Sequence, residues 1–140
     1  MEIETLNSII AVARENKAGT FLSSAFDLPA LIENIKHSKS WADGELDTLV
    51  LLKNPDEKVV LTAVHEGTQI TSFQANDSVT FQILEGKLRY TTHNDSVMLK
   101  TGQIMTINEK IKYKLIAGEE TVFLLTILNT TQERAKAGLV

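Results

Sequence analysis

The chain has 140 residues, a formal net charge of -4, 43% hydrophobic and 23% charged residues, which is typical of one globular domain with its own core. The acidic balance argues against a nucleic-acid partner, because phosphate binding needs clustered Lys and Arg. The chain has no cysteine, which excludes disulfides and thiol chemistry.

The first residues, Met-Glu-Ile-Glu, are acidic where a secretory signal would be basic. No apolar run reaches the roughly 20 residues of a membrane-spanning helix. We therefore expect a cytoplasmic protein without a membrane partner.

Residues 1–45 are predicted to be a helical leader. Four apolar residues recur with helical spacing and predict a helix over residues 2–17; they are Leu6, Ile9, Ile10 and Ala13. This helix either packs on the rest of its own chain or acts as a dimerising arm. Residues 20–25 are either a short strand or a loop.

A second, shorter helix is predicted after Asp27, which is suited to cap it, and Pro29 is allowed in its first turn. The apolar residues with helical spacing are Leu28, Leu31, Ile32 and Ile35. Trp41 follows, and we expect it to anchor this segment onto a sheet rather than to contact a ligand.

From Leu46 onward, short apolar runs alternate with turn residues, a pattern typical of a β-sandwich or barrel. Eight or nine strands are predicted, at Asp47–Lys53, Lys58–Val64, Gln69–Gln74, Val79–Leu84, Lys87–Thr92, Ser96–Leu99, Gln103–Ile107, Ile111–Ile116 and Thr121–Leu128. No linker divides the chain. We expect one domain with a barrel over residues 46–128 and a tail over residues 129–140.

Glycines frame the strands at a distinctive spacing. Gly67 and Gly86 enclose the strands at 69–74 and 79–84, and Gly102 begins a similar stretch. This framework resembles the two sequence motifs of the cupin family, especially its small single-domain members. The resemblance implies a mostly β fold, a double-stranded β-helix or jelly-roll barrel, with one or two N-terminal helices.

In that family the first motif reads Gly, five residues, His-x-His, three or four residues, Glu, six residues, Gly. Laid without a gap from Gly67, it places Phe73 and Ala75 at the histidine positions and Val79 at the glutamate position. The second motif places Tyr113 at its histidine. Three of these four residues cannot coordinate a metal, and a neutral phenol is a poor ligand. The resemblance therefore predicts a metal-free barrel without a cofactor.

If the family's register holds, the barrel interior is lined by Phe73, Ala75, Val79, Phe81 and Tyr113. One interpretation is a pocket for a small, mostly apolar molecule whose polar end meets the Tyr113 hydroxyl. The other is that these side chains fill the interior and form ordinary core.

The resemblance also implies a homodimer, formed across one face of a sheet. Gln82 is a candidate for that subunit contact, and apolar surface for it is expected from Val60, Thr62 and Val64.

Three histidines, His37, His65 and His93, have no ligand spacing and lie beside turns. No nucleophile has an adjacent base, and no carboxylate pair falls on an inward face, so the constellation expected of an enzyme is not visible. The first hypothesis is a metal-free, non-catalytic module, a sensor or accessory protein, that binds a small molecule or a protein partner. The alternatives are a metal-independent, epimerase-like enzyme with Tyr113 as proton donor, and a structural dimer with a filled barrel.

Overall fold

The computed structural model describes residues 25–129 and the backbone of residues 2–3 and 14–15. The described residues form eleven strands and two helices. The strands are β1 (Glu2–Ile3), β2 (Arg14–Glu15), β3 (Leu46–Lys53), β4 (Glu57–Val64), β5 (Gln69–Gln74), β6 (Ser78–Glu85), β7 (Lys87–Thr91), β8 (Ser96–Lys100), β9 (Ile104–Ile107), β10 (Ile111–Ala117) and β11 (Thr121–Leu128). The helices are α1 (Leu28–Lys36) and α2 (Lys39–Asp43).

The strands form two sheets that face each other. Sheet A has the order β1-β5-β10-β7-β8, and sheet B has the order β2-β3-β4-β11-β6-β9. From β3 to β11, all neighbouring pairs are antiparallel. The mostly β barrel with short helices before it is therefore confirmed, and each predicted strand is present within two residues of its predicted bounds.

The helix predicted over residues 2–17 is wrong at the two places that the structure describes. Residues 2–3 and 14–15 are short strands, which pair in parallel with β5 and β3. The rest of that prediction lies outside the described residues, as do the predictions for residues 20–24 and 130–140.

The barrel interior is a hydrophobic core because alternate residues of each strand point between the sheets. On β6 these residues are Val79, Phe81 and Ile83, which are all buried. Burial of one such side chain stabilises the fold by about 1.5–3 kcal/mol.

The helix predicted after Asp27 is confirmed as α1. The Asp27 carboxylate accepts a hydrogen bond from the Ala30 N–H at 3.2 Å, which caps the first turn. Ile32 and Ile35 lie on its buried face and pack in one cluster with Leu61 of sheet B. In the part of the chain that the structure describes, no helix has the length and apolar character needed to cross a membrane.

Trp41 anchors α2 to the barrel, as predicted. Its side chain is buried and stacks on His65, with ring centroids 3.5 Å apart and an interplanar angle of 18°. His65 Nε2 also lies 2.8 Å from the Trp41 carbonyl oxygen. His65 therefore joins the helical segment to the end of β4.

Strand β4 is buried on both faces, which corrects one expectation. Val60 and Val64 lie in the barrel core, and Leu61 and Ala63 pack against the helices. Thr62 is also completely buried. Because these side chains are enclosed by their own chain, Val60, Thr62 and Val64 cannot supply the dimer surface predicted for them.

The three motif glycines share a backbone conformation that other residues adopt only with strain. Gly67, Gly86 and Gly102 have φ angles of 86°, 92° and 87°. Gly86 is also tightly enclosed, because a Cβ atom there would collide with the Glu120 carbonyl oxygen. The glycine spacing thus marks turns required by the fold, whatever the chemistry between them.

Candidate functional site

The register of β5 determines which side chains reach the interior. Ser72 and Gln74 are buried, while Phe73 is 52% exposed and Ala75 is exposed. Ser72 lies directly opposite Tyr113 of β10 in the sheet. The expectation that Phe73 and Ala75 line the interior is therefore wrong.

The physical reason is a one-residue offset. Side chains alternate along a strand, so a shift of one residue moves the whole inward set to the other face. The inward residues of β5 are even-numbered, whereas those of β6 begin at Val79. Four residues therefore separate Gln74 from Val79, and four separate Gly67 from Ser72. The gap-free alignment instead left five residues after Gly67 and three before Val79, which shifted both histidine positions by one residue.

The other three residues predicted for the pocket, Val79, Phe81 and Tyr113, are buried in the barrel core. Phe81 contacts Tyr113 edge-to-face, with centroids 6.0 Å apart, and lies 5.9 Å from Phe123 on its other side. Tyr90 continues the row, 5.6 Å from Tyr113. These four rings fill the centre of the barrel, where the sequence allowed either a pocket or core.

Gln74 is a buried polar residue whose amide is fully engaged. Its Nε2 donates to the carbonyl oxygens of Asn76 and Ile107, at 2.8 and 3.3 Å, and its Oε1 accepts from the Asn76 N–H at 2.9 Å. These bonds hold the turn after β5 against the end of β9. Gln74 is therefore part of the scaffold of the barrel.

Tyr113 is the most perturbed titratable group of the interior. Burial raises the pKa of its hydroxyl to about 12, although a side-chain hydrogen bond with Ser72 acts in the opposite direction. The phenol is thus firmly neutral near neutral pH.

A cavity of about 280 Å³ opens at one end of the barrel, beyond this aromatic row. We call it the mouth cavity. Its apolar lining consists of Tyr90, Val97, Met105, Ile107 and Ile111. Its polar lining consists of Thr92, Asp95, Ser96, Thr106, Asn108 and Glu109.

Val97 shows that the barrel is open here. It lies opposite Tyr90 on paired strands β8 and β7, so both side chains lie on the inward face of the sheet. Tyr90 is 8% exposed, whereas Val97 is 42% exposed. An inward-facing apolar side chain is therefore left uncovered at the mouth.

None of the five residues predicted for the pocket lines the mouth cavity. The alternation in β7 and β8 gives the inward face of that hairpin, and this was the available signal for Tyr90 and Val97. It does not show which end of the barrel stays open, since that depends on how the loops pack.

A second cavity, of about 370 Å³, lies over the outer face of sheet A. We call it the outer groove. It is lined by Thr71, Thr91, Thr92, His93, Lys112, Tyr113, Lys114 and Ile116. Its charged lining residues are lysines, in contrast to the mouth cavity.

No protein-family model matches the sequence, and no curated protein is significantly similar to it. Similarity emerges among solved structures. A cupin-2 domain protein from Shewanella frigidimarina aligns with a TM-score of 0.60 and 16% identity, over 75% of this chain and 95% of that chain. The protein has the cupin fold.

Two further cupin-like structures agree. A protein with a double-stranded β-helix domain from Klebsiella pneumoniae has a TM-score of 0.61 and 21% identity, over 76% of this chain and 90% of that chain. A cupin superfamily protein from Desulfitobacterium hafniense has a TM-score of 0.56 and 13% identity, over 60% of this chain and 77% of that chain. At such low identities the likeness concerns the fold and not the activity.

Within this cupin fold, the inward residues nearest to the motif's ligand positions are Ser72, Gln74, Val79 and Tyr113. These side chains provide two neutral hydroxyls, an amide that is already hydrogen-bonded and an alkyl group. Such a set does not fit a transition-metal ion. Among the described residues, no three His, Cys, Asp or Glu side chains lie close enough together to hold a metal.

Proposed function

We propose that this protein is a metal-free, non-catalytic binding module of the cupin fold, which holds a small, mostly apolar molecule in the mouth cavity as a sensor or accessory protein. The observation that supports this most directly is the exposed Val97 side chain, which lies on the inward face at the open end of an otherwise filled barrel. Ligand pockets are typically concave and largely apolar, with volumes of roughly 300–1,000 Å³. The mouth cavity, at about 280 Å³ and with five apolar residues among its eleven lining residues, is close to the lower limit of that range and suits a small molecule.

Five of the six polar residues of the mouth cavity lie in loops or at the start of a strand, and the sixth, Thr106, lies on β9. Thr92, Asp95 and Ser96 belong to the β7–β8 turn and the start of β8, and Asn108 and Glu109 belong to the β9–β10 connection. A molecule held there would place its apolar part against Tyr90 and Met105. Its polar end would meet the loops, which can orient it.

The alternative, an isomerase-like or epimerase-like enzyme with Tyr113 as proton donor, has less support. Tyr113 does not line the mouth cavity. With a pKa of about 12, its hydroxyl is a weak proton donor near neutral pH. Its interacting neighbours, Ser72 and Tyr90, offer no general base. The third hypothesis, a purely structural dimer with a filled barrel, has less support because it leaves the exposed Val97 side chain at the mouth without a role.

A binding screen tests the proposal. Small apolar metabolites are added to the protein, and its melting temperature is recorded. A ligand at 100 times its dissociation constant adds about 2.7 kcal/mol to the free energy of unfolding, which raises the melting temperature by several degrees. Val97→Trp fills the mouth and is expected to abolish that rise.

Leu52→Trp is the matched control, because Leu52 is 37% exposed and does not line the mouth cavity. It should leave the ligand-induced rise unchanged. A ligand that still stabilises Val97→Trp, or a broad screen in which no compound raises the melting temperature, would refute binding at the mouth.

We also propose that the protein forms a homodimer through the outer face of β6, β9 and β11. Away from α1, the exposed and half-buried side chains of this face carry no charge; they are Ser78, Thr80, Gln82, Ile104, Thr106, Thr126 and Leu128. Towards α1, Leu84 and Leu124 pack against the helix cluster, and Glu85 forms a salt bridge with Lys36. An uncharged face does not repel its own copy. Gln82, the residue expected at a subunit contact, is exposed there beside Ile104.

A further inference from the structure

We infer that the molecule held in the mouth cavity carries a positively charged amine next to its apolar body. The inference rests on the proposed function, because it concerns the same cavity. It adds the chemical class of the ligand's polar end.

The charged residues that line the mouth cavity have one sign. Asp95 and Glu109 are the two titratable residues, besides Tyr90, among the described residues that line it, and no Lys, Arg or His is in that set. Neither carboxylate forms a salt bridge with another residue of the 25–129 range. A bound cation would give these two charges the partner that the described protein does not supply.

The two carboxylates come from separate loops on a fixed frame. Asp95 closes the β7–β8 turn, where the Thr92 N–H donates to the Asp95 carbonyl oxygen at 2.8 Å and the Asp95 N–H donates to Thr92 Oγ1 at 3.0 Å. Glu109 belongs to the short connection between β9 and β10. These bonds hold the Asp95 backbone beside the mouth cavity.

Tyr90, in the apolar lining of the mouth cavity, interacts electrostatically with both carboxylates. Burial raises the pKa of its hydroxyl, and the negative charges of Glu109 and Asp95 raise it further. Both carboxylates thus contribute negative potential at the Tyr90 hydroxyl. An ammonium group gains from such a potential, and the face of an aromatic ring attracts it as well.

The outer groove provides a contrast within the same molecule. Its lining includes Lys112, Lys114 and His93 and no carboxylate. An amine should therefore prefer the mouth cavity, whereas an anion should prefer the outer groove. The charge of the probe consequently reports which cavity it occupies.

Three probes of nearly equal size separate charge from shape: benzylamine, benzyl alcohol and benzoate. Binding is followed by NMR of methionine methyl groups labelled with carbon-13. Met105 lines the mouth cavity and is the reporter. Met98 is the internal control, because its methyl group lies near Gly118, away from the mouth lining.

We expect benzylamine to shift the Met105 methyl resonance with an affinity about tenfold higher than that of benzyl alcohol, and benzoate to bind more weakly still. Added salt should weaken the binding of benzylamine, since the carboxylates of Asp95 and Glu109 are exposed to solvent. The double variant Asp95→Asn, Glu109→Gln should reduce amine binding to the level of the alcohol. Glu66→Gln, an exposed carboxylate outside the lining, should change nothing.

The outcomes distinguish this inference from the proposed function. If benzyl alcohol shifts Met105 and binds as tightly as benzylamine, the mouth is a binding site and the amine inference is wrong. If the double variant keeps the amine preference, the inference is also wrong. If none of the three probes shifts Met105 at millimolar concentration, the proposed function itself fails.

Discussion

Tyr113 on β10 lies directly opposite Ser72 on β5, and a hydrogen bond joins their side chains inside the barrel. One position along the strands, Phe73 lies opposite Lys112 and is half exposed. This register gives the interior a hydroxyl pair beside its aromatic row. It also removes the largest apolar side chain of β5 from the core.

The two tyrosines of the chain should both ionise at higher pH than a free tyrosine. Burial raises the pKa of Tyr113 from 10.0 to about 12 and also raises the pKa of Tyr90. Because the folded state holds the Tyr113 proton more tightly than the unfolded state, this contribution is complete below pH ~10 and is lost as pH rises towards about 12. It is worth roughly 3 kcal/mol.

Ultraviolet absorbance of tyrosinate measures both ionisations, and urea unfolding at several alkaline pH values measures the stability. Tyr113→Phe should remove the ionisation at the higher pH and reduce the fall in the free energy of unfolding with pH. Tyr90→Phe should retain the ionisation at the higher pH. Ionisation of Tyr113 near pH ~10 in the folded protein would contradict the buried position of its hydroxyl.

The two phenylalanines Phe73 and Phe81 form a matched pair that tests the register of β5. Phe81 is completely buried, so Phe81→Ala should lower the free energy of unfolding by about 3–5 kcal/mol. Phe73→Ala removes an exposed side chain and should cost less than about 1 kcal/mol. Urea denaturation measures both. Equal losses would place Phe73 inside the barrel, as the motif alignment first suggested.

Gly86 and Gly102 have nearly the same positive φ but different surroundings. A Cβ at Gly102 would have no atom within 4 Å, so Gly102→Ala should cost only the strain of that backbone conformation, about 1–2 kcal/mol. A Cβ at Gly86 would collide with the Glu120 carbonyl and the Thr121 backbone. Gly86→Ala should therefore cost at least twice as much in thermal unfolding. Equal costs would show that the 119–121 turn moves freely.

Much of this fold could be predicted because each strand from β3 to β11 has a recognisable local sequence pattern. Apolar alternation and turn residues gave β3 to β11, and Asp27 with the spacing of Ile32 and Ile35 gave α1. The register could not be predicted in the same way. The motif fixes the number of residues between Gly67 and Val79, but it does not fix how they are divided between β5 and the following turn. A shift of one residue changes which face of β5 points inward.

The candidate site was harder to predict for a related reason. Val97 and Met105 have the same alternating context as core residues, and only the three-dimensional packing decides that Val97 stays exposed and Met105 half-buried. The charges of Asp95 and Glu109 are typical of solvated turns when the sequence is viewed alone. Their meaning comes from the cavity that they share, which strands of both sheets enclose.

The proposed homodimer can be tested at Ile104, which is 63% exposed on the edge strand β9. An exposed apolar side chain in an uncharged face is favourable when a second copy covers it. Ile104→Lys would bring two like charges into a symmetric interface, because each change occurs twice, and should raise the dimer dissociation constant by at least about tenfold.

Light scattering after size exclusion measures the mass in solution, and Phe73→Lys is the control, because Phe73 is similarly exposed on the opposite sheet. We expect a dimer for the unchanged protein and for Phe73→Lys, and a monomer for Ile104→Lys with an unaltered melting temperature at low concentration. A monomeric Phe73→Lys beside a dimeric Ile104→Lys would move the interface to the outer face of sheet A. A monomeric unchanged protein would refute the homodimer, since the uncharged face would then be an ordinary solvated surface.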